Sequence, residues 1–237
     1  MRLDHYLHQH RYTTSRNKAK ELILAGKVRV DGDTIRKPAF AIEGDEAAIE
    51  IGEDAHYVGR AALKLKGFLK SSGLAVSGRR CLDIGSSTGG FVQVLLEAGA
   101  AAVTGVDVGS GQLHPSLREN DRVISVEETD IRDFFPDRRF DLITCDVSFV
   151  GIAHILPDID RLAKCDIVLL FKPQFEVGRE ARRSRRGVVT DRHAIAAAEA
   201  RFLAETRKYG WEPVDRQASE LKGKAGNVEI FFHFQKR

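Results

Sequence analysis

Cysteines are few in this sequence and long hydrophobic runs are missing, and each shortage excludes a class of protein. None of Cys81, Cys145 and Cys165 stands in a Cys-x-x-Cys pair or at the spacing of a zinc site. This odd, scattered set argues against a disulfide framework and a structural metal. No apolar run approaches the ~20 residues that span a bilayer, and the N-terminal MRLDHYLHQH contains no secretory signal. We therefore expect a cytoplasmic protein with no metal and no membrane contact.

Length and composition are those of an ordinary globular protein. The chain has 237 residues, of which 43% are hydrophobic and 30% are charged. That length accommodates one sizeable α/β domain and a small second domain, since domains run to roughly 100 to 200 residues. We expect two domains.

Basic residues are concentrated at the front of the chain. Residues 1–40 contain nine Lys or Arg and four Asp or Glu. Residues 41–55 contain no base and six acids, namely Glu43, Asp45, Glu46, Glu50, Glu53 and Asp54. A local excess of positive charge favours a polyanionic partner. The alternative is that both clusters are merely solvated surface.

The basic front segment has the pattern of a helix followed by a hairpin. Ser15 is a good N-cap, after which Ala19, Leu22 and Ile23 share one helical face, and Gly26 is placed to end the helix. Next, Asp31-Gly32 separates VRV from DTI, which predicts a β-hairpin because Asp-Gly supplies the positive φ angles of a tight turn.

These segments, RLDHYL, SRNKAKELILAGKVRVDG and KPAFAI, closely resemble an S4 RNA-binding module. The resemblance implies that basic side chains here bind structured RNA, mostly through phosphates. The expected RNA-contacting residues of this segment are Arg2, Arg16, Lys18, Lys20, Lys27 and Arg29. Arg60, further along the chain, joins them.

From about residue 79 the sequence alternates between strands and helices. CLDI, residues 81–84, reads as a strand, GSSTGG as a turn, and FVQVLL, residues 91–96, as a helix. A glycine-rich turn between strand and helix lets backbone N–H groups approach a ligand. The spacing fits neither the dinucleotide nor the phosphate-loop motif. Asp83, inside the strand, favours a cationic, methionine-derived ligand over a pyrophosphate.

Further carboxylates follow the next strands, at the edge where an open α/β sheet binds ligands. Asp107 comes after the strand 103–106 and is suited to a ribose diol. Asp130, beyond the strand 123–126, could accept from an adenine amino group, and Asp146 ends the strand 142–145. Any one of them alone would more often be a surface residue or a helix cap, so the prediction depends on their repetition.

Three more charged residues are candidates for proton transfer. Lys172 follows the apolar strand IVLLF, Lys64 lies in GRAALKL, and Glu229 begins EIFFHF. A lysine at a sheet's ligand edge can act as a base or as electrostatic support. The alternative for each is a solvated surface charge.

The segments VGRAALKL, CLDIGSSTGGF, DVGSGQLHPSLR, CDVSFVGI, LLFKPQFEVG and GNVEIFF together resemble the TlyA family, once called hemolysins. The resemblance spans nearly the whole chain and implies 2′-O-methylation of ribosomal RNA cytidines with S-adenosylmethionine. The same half resembles FtsJ-type ribose methyltransferases, which implies a catalytic set of Lys64, Asp146, Lys172 and Glu229. The implied cofactor-binding residues are Asp83, Gly85, Ser87, Gly89, Asp107 and Asp130.

Two details refine that expectation. The chain resembles the shorter members of the TlyA family, which implies a target in large-subunit 23S RNA rather than in both subunits. It departs from many members at Gly59, where they have serine. We expect activity to be retained.

The segment REARRSRR, between Gly178 and Gly187, contains five arginines. Mutual repulsion predicts a mobile loop that is disordered until RNA phosphates arrive. Arg182, Arg183, Arg185 and Arg186 are the expected contacts. A merely solvated loop is the alternative.

The expected architecture is a small α+β S4 domain over residues 1–58, followed over 59–237 by a Rossmann-like class I methyltransferase domain. The latter is a mostly parallel α/β sheet with helices on both faces, and the strand 229–234 is its added antiparallel edge. Two other functions stay open: a catalytically silent RNA-binding or ribosome-assembly factor, and, with less support, a membrane-active hemolysin. The oligomeric state is not predicted.

Overall fold

The computed structural model describes residues 1–13, 15–42, 47–52 and 56–237. The chain divides into two compact units, Met1–Val58 and Gly59–Arg237. Most of the acidic stretch noted above lies outside the described residues, namely Glu43, Asp45, Glu46, Glu53 and Asp54.

The first unit is a small α+β fold. Its elements are α1 (Leu3–Gln9), α2 (Arg16–Leu24), β1 (Val28–Val30), β2 (Asp33–Thr34) and β3 (Ile49–Ile51). The three strands form an antiparallel sheet in the order β2-β1-β3. Its core contains Leu3, Leu7, Ile23 and Val28, all fully buried.

The predicted helix and hairpin of this unit are confirmed. The Ser15 hydroxyl accepts a hydrogen bond from the Lys18 backbone N–H at 3.1 Å, which caps α2. Ala19, Leu22 and Ile23 are buried. In the turn, Asp31 and Gly32 have φ angles of 52° and 87°, as two-residue hairpin turns require.

The second unit is built on a seven-stranded sheet with the order β6-β5-β4-β7-β8-β10-β9. Its strands are β4 (Arg80–Ile84), β5 (Ala102–Val106), β6 (Val123–Val126), β7 (Phe140–Cys145), β8 (Ala163–Phe171), β9 (Glu212–Ala218) and β10 (Ile230–Gln235). The first five strands of that order are parallel, and β10 runs antiparallel to both β8 and β9. Parallel strands place all their carboxyl ends, and the residues that follow them, at one edge.

Helices cover both faces of this sheet. They are α3 (Ala61–Ser72), α4 (Gly90–Glu97), α5 (Pro115–Arg118), α6 (Leu156–Leu162), α7 (Pro173–Glu176) and α8 (Arg192–Arg207), with single 3₁₀ turns at Ile131–Asp133 and Ile152–Ile155. Neighbouring side chains of β10 show the two layers, because they point to opposite faces. Phe231 packs on Phe68 of α3 and Phe232 packs on Phe202 of α8. The expected α/β class is confirmed.

The predicted edge strand is wrong. β10 is antiparallel as expected, but β9 lies outside it and forms the edge. Ile230 to Phe234 are all buried, as a strand covered on both faces requires. β9 instead alternates exposed and half-buried residues and contains Pro213, which an edge strand tolerates because one side of its backbone needs no partner.

The three cysteines are free thiols, and Cys81 and Cys145 are buried. Burial raises the pKa of each of these two thiols to about 12, so both are unreactive. Among the described residues no group of three or more His, Cys, Asp or Glu side chains is arranged to hold a metal ion. No helix in the described part of the chain is long and apolar enough to cross a membrane.

Candidate active site

Lys172 and Asp146 form an ion pair at the carboxyl edge of the sheet. Asp146 directly follows β7 and Lys172 directly follows β8, so two neighbouring parallel strands bring them together. Lys172 Nζ lies 2.6 Å from Asp146 Oδ1. It also donates to Ser148 Oγ at 2.9 Å and to the Asp146 carbonyl at 3.3 Å. Two hydrogen-bond acceptors and one ion-pair partner therefore surround the ammonium group of Lys172.

A second lysine–carboxylate pair is formed by Lys64 of α3 and Glu229, the residue before β10. Lys64 Nζ donates to Glu229 Oε2 at 2.6 Å, and the two side chains are 11% and 3% exposed. The amide of Gln174 donates to the other oxygen, Oε1, at 3.1 Å. Gly223 makes room for this carboxylate, because a Cβ there would collide with Glu229 Oε1.

The two pairs influence each other. Burial raises the pKa of Asp146 above its ordinary value, while the positive charges of Lys172 and Lys64 oppose that rise and Glu229 adds to it. The structure therefore brings the four expected catalytic residues into one electrostatic cluster of alternating charge.

A cleft of about 580 Å³ opens beside this cluster, within the size range of small-molecule sites. Ile84, Val106, Ile131, Val147 and Ile155 supply apolar wall. The polar lining comes from the segments that follow the strands and includes Ser87, Asp107, Gln112, Asp130, Asp146 and His154. An apolar slot with several carboxylates suits a flat heterocycle attached to a hydroxylated, positively charged group.

The turn after β4 lets a ligand approach the backbone. Gly85 has a φ of 78°, and a Cβ there would come within 3.2 Å of the Asp146 carbonyl and of Val147. Only glycine therefore fits without a shift. Asp107 accepts from the N–H groups of Ser87 and Gly109, both at 2.8 Å. The Gln112 side-chain amide is a third donor, at 3.4 Å. A carboxylate has about four acceptor positions, so Asp107 can still accept from a ribose hydroxyl.

Asp130 lines the cleft from the other side. Its carboxylate pairs with Arg132 at 2.6 Å, and this guanidinium lowers the pKa of Asp130 to about 2. Arg161 holds residues 131–134, directly after Asp130, by donating to the carbonyls of Ile131 and Phe134 at 2.8 and 2.7 Å. The Asp130 carboxylate is thus charged and fixed at the cleft wall.

Two expected cofactor residues do not line the cleft. Asp83 is 1% exposed, and its carboxyl group accepts from the Thr144 hydroxyl at 2.7 Å inside the sheet. Burial raises its pKa to about 8. Gly89 has a φ of 94° and faces the side chains of Leu113 and Leu117, where a Cβ would collide. Gly89 thus belongs to the packing between the turn and these leucines, whereas Asp83 lies inside the sheet.

The basic residues of the first unit are partly engaged within it. Arg2 and Arg16 donate to the fully buried Asp4 at 3.0 and 3.2 Å, and they lower its pKa to about 2. Lys18 donates to the Tyr57 carbonyl at 2.7 Å, and burial lowers its pKa. Arg2 and Arg16 nevertheless remain about half exposed.

Lys27 and Arg29 line a groove of this unit together with Gly26, Glu50, Ile51 and Gly52. Arg29 Nη1 lies 3.6 Å from Glu50, and Lys20 of α2 is half buried. In the second unit, Arg60 is exposed and donates to the Lys222 carbonyl at 3.3 Å.

The arginine-rich loop makes defined contacts with the rest of the unit, which the expected disordered segment would lack. Arg183 and Val189 form a β-bridge, and Asn227 accepts from the Val189 N–H at 2.9 Å. Ala181 and Val189 belong to the hydrophobic core. Charge repulsion is outweighed because apolar residues on both sides of the arginines anchor the loop.

The four expected arginines of this loop differ in their surroundings. Arg183 donates to the carbonyls of Gln174 and Gly178, both at 3.3 Å, and Arg182 lies 3.6 Å from Asp191. Arg185 and Arg186 are exposed at its tip.

Comparison with known families assigns both halves of the chain. Residues 57–236 match the model of the FtsJ-like methyltransferases. The chain belongs to that family. Residues 1–47 match the S4 domain. The expected cofactor of this methyltransferase fold, S-adenosylmethionine, is confirmed, and the apolar slot, the Gly85 turn and the acidic wall fit it.

Individual relatives extend over the whole length. The chain is 43% identical to the 23S rRNA (cytidine-2′-O)-methyltransferase TlyA of Campylobacter jejuni, with 100% of both chains covered. It is 44% identical to the 16S/23S rRNA (cytidine-2′-O)-methyltransferase TlyA of Mycobacterium tuberculosis, covering 97% of this chain and 88% of the relative. A solved hemolysin structure from Streptococcus thermophilus is 33% identical, with a TM-score of 0.76 over 100% of this chain and 88% of that one. The predicted membership of the TlyA family is confirmed.

Ser148 and Gln174 were missed by the sequence analysis. Each contacts a charged group of the cluster and lies two residues from a predicted catalytic residue, in CDVSF and FKPQF respectively. Their position within these motifs was the only available signal, because a serine or a glutamine carries no charge to mark it.

Proposed function

We propose that this protein transfers a methyl group from S-adenosylmethionine to the ribose 2′-hydroxyl of a cytidine in 23S ribosomal RNA, within the large subunit. The observation that carries the proposal is the pair of buried lysine–carboxylate contacts, Lys172–Asp146 and Lys64–Glu229, beside the cofactor cleft. Because ribosomes are its substrate, the protein works in the cytoplasm.

The chemistry divides between the cofactor and the protein. S-adenosylmethionine, when bound, supplies an activated methyl group with a thioether as its leaving group. The protein has to orient the hydroxyl in line with that methyl and assist removal of the hydroxyl proton. The methyl group would replace the proton of the ribose hydroxyl, and that proton would pass by way of Lys172 to solvent.

Lys172 is the residue placed to assist that proton transfer. Its Nζ contacts Asp146 and Ser148, two residues that line the cleft. Lys64 and Glu229 keep the charge of the cluster balanced as the proton moves. Asp83, Gly85, Ser87, Gly89, Asp107 and Asp130 hold or shape the cofactor site.

Two findings support ribosomal RNA as the substrate, and the second of them favours the large subunit. The first is the S4 domain at residues 1–47, a type of module that binds structured RNA. The second is the full-length match to a relative named for 23S rRNA.

The test is methyl transfer from tritiated S-adenosylmethionine to isolated large and small subunits, followed by mapping of 2′-O-methylated positions. Lys172→Ala should lower turnover by at least about 100-fold, because positioned acid–base groups contribute about that much or more. Lys164→Ala is the matched control, since Lys164 is an exposed lysine near the other end of β8. Wild-type turnover in a folded Lys172→Ala protein would remove Lys172 from the mechanism.

The same assay tests the substrate. Incorporation at a large-subunit cytidine is expected, while incorporation into the small subunit alone would contradict the proposed target. No incorporation into any ribosomal particle by wild-type protein that still binds RNA would favour a catalytically silent assembly factor.

A further inference from the structure

Glu127, the residue after β6, is the centre of a hydrogen-bond cluster that neither the catalytic set nor the cleft lining includes. Its carboxylate accepts from three consecutive backbone N–H groups, those of Gly111, Gln112 and Leu113, each at 2.8 Å. Arg118 donates to the same carboxylate at 3.1 Å. The four donors hold the Glu127 carboxylate in one orientation, because each of its oxygens receives two hydrogen bonds in defined directions.

The loop that Glu127 holds carries part of the cofactor site. Gln112 lines the cleft, its side-chain amide lies 3.4 Å from Asp107 Oδ1, and its carbonyl oxygen accepts from Ser87 Oγ at 3.1 Å. Gln112 therefore joins the acid after β5 to the glycine-rich turn after β4. Its backbone N–H is one of the three that bind Glu127.

The same loop also packs against the glycine-rich turn. Leu113 is buried and lies so close to Gly89 that a Cβ there would be 2.7 Å from Leu113 Cδ1. The Leu113 N–H is another of the donors to Glu127. One carboxylate thus fixes both the polar link to Asp107 and the apolar contact with the turn.

We propose that Glu127 is a positioning residue for cofactor binding: it locks the 107–114 loop against the glycine-rich turn so that Asp107, Ser87 and Gln112 are aligned before the ligand arrives. Glu127 itself does not line the cleft, so it acts through Gln112 and Leu113. The proposal rests on the proposed placement of S-adenosylmethionine in the cleft. Preorganisation of this kind improves affinity because the bound loop needs no further ordering.

The charge of Glu127 suits this role. The N–H of Leu113 has the largest effect and, together with those of Gly111 and Gln112, lowers the pKa of Glu127 below its ordinary value. The carboxylate therefore stays ionised at neutral pH. In Glu127→Gln an amide N–H₂ replaces one of the oxygens and faces donors instead of accepting from them.

The experiment measures S-adenosylhomocysteine binding by calorimetry and methyl-transfer kinetics in the full-length protein. Glu127→Gln should raise both the Kd for S-adenosylhomocysteine and the KM for S-adenosylmethionine by at least about tenfold. The reason is that the new amide N–H₂ group faces backbone N–H groups, which then lose their acceptor. The kcat at saturating cofactor should stay within about twofold of wild type, because the catalytic lysines are untouched. A purely structural defect would instead lower kcat through loss of folded enzyme.

Glu128→Gln is the matched control, since Glu128 is the neighbouring, exposed carboxylate, and it should bind like wild type. Gln112→Ala should weaken binding in the same direction, and its effect should not add to that of Glu127→Gln because both act through one loop. An unchanged Kd in Glu127→Gln would overturn the proposal.

If Glu127→Gln does not fold, Arg118→Gln takes its place, because it removes one donor and leaves the carboxylate. It should raise the Kd by a smaller factor, and an unchanged Kd there would also overturn the proposal. Wild-type protein that fails to bind S-adenosylhomocysteine would contradict the cofactor placement itself, a result distinct from equal binding by wild type and variant.

Discussion

At the scale of single residues, Asp83 makes the stability of the folded protein depend on pH. The folded protein raises the pKa of its carboxyl group to about 8 through burial, with the negative charges of Asp146 and Asp107 adding to the rise and the Thr144 hydroxyl opposing it. The folded state therefore binds this proton more tightly than the unfolded state does, and stability falls as the pH rises from about 4 to about 8. Above that window both states are ionised and the loss is complete.

Asp83→Asn should remove this dependence, since an amide keeps an oxygen for the Thr144 hydroxyl and does not titrate. Relative to wild type, the variant should gain up to about 1.4 kcal/mol in free energy of unfolding per pH unit between pH ~4 and ~8. Above pH ~8 the difference between the two proteins should stay constant. Urea unfolding of both proteins at pH 5, 7 and 9 measures the gap. An equal gap at pH 5 and pH 9 would show that Asp83 is ionised in the folded state throughout.

Sequence reasoning at this scale placed some of the charged residues that follow strands at the sheet edge, and it missed the neutral partners Ser148 and Gln174 as well as Glu127. Asp146 and Lys172 were predictable because parallel strands end at a common edge. Glu127 could not be predicted, since a glutamate after a short strand is usually solvated. Only the fold of the 107–114 loop shows that three N–H groups point at it.

At the scale of elements, the arginine-rich loop depends on one buried amide. Asn227 accepts from the Val189 N–H and donates to the Gly187 carbonyl at 3.4 Å, which closes the loop onto the segment before β10. Arg182 to Arg186 then form a turn between anchored ends. An ordered loop presents its arginines at a lower entropy cost than a disordered one.

Asn227→Ala should release this loop and expose it to trypsin, which cleaves after arginine. Wild type should resist cleavage between Arg182 and Arg186, and the variant should be cut there several times faster while its global unfolding midpoint changes little. Limited proteolysis with mass spectrometry locates the cuts. Asn120→Ala, in the turn before β6, is the control, and equally fast cleavage of wild type would contradict an ordered loop.

The order of the last two strands illustrates what hydrophobic patterning can and cannot decide. The apolar run in β10 correctly predicts a strand, and its burial on both faces excludes the sheet edge. β9 was missed because its polar, proline-containing sequence lacks the alternation of apolar and polar residue types by which a strand is predicted. Pairing with β10 stabilises it, which is a tertiary contact and not a local preference.

At the scale of the whole molecule, exposed arginines should govern binding to ribosomal RNA. Arg185→Gln combined with Arg186→Gln should weaken binding to the large subunit. The steepness of the plot of log binding constant against log salt concentration should fall by about 1 to 2, because each lost phosphate contact lowers it by roughly 0.7 to 0.9. Binding of S-adenosylhomocysteine should not change. Filter binding at several salt concentrations measures the slope.

The control for this prediction is a second pair of exposed arginines. Arg138 and Arg139 precede β7 at the amino ends of the strands, opposite the ligand edge. Their double replacement by glutamine should leave the slope unchanged. A similar fall in both double variants would show that net charge, and not the loop, governs binding.

The sequence by itself determined the helix and hairpin of the first unit and the glycine-rich turn between strand and helix in the second, because a capped helix, an Asp-Gly turn and a glycine-rich segment are short-range patterns. Its resemblance to the TlyA and FtsJ families indicated the family, the cofactor and the four charged residues that the fold brings together. Tertiary structure alone decided that β9 is the edge, that Asp83 and Gly89 lie behind the cleft, and that Glu127 holds its loop. Such facts depend on which distant segments pack together, because burial and hydrogen-bond partners arise from contacts that local propensity does not encode.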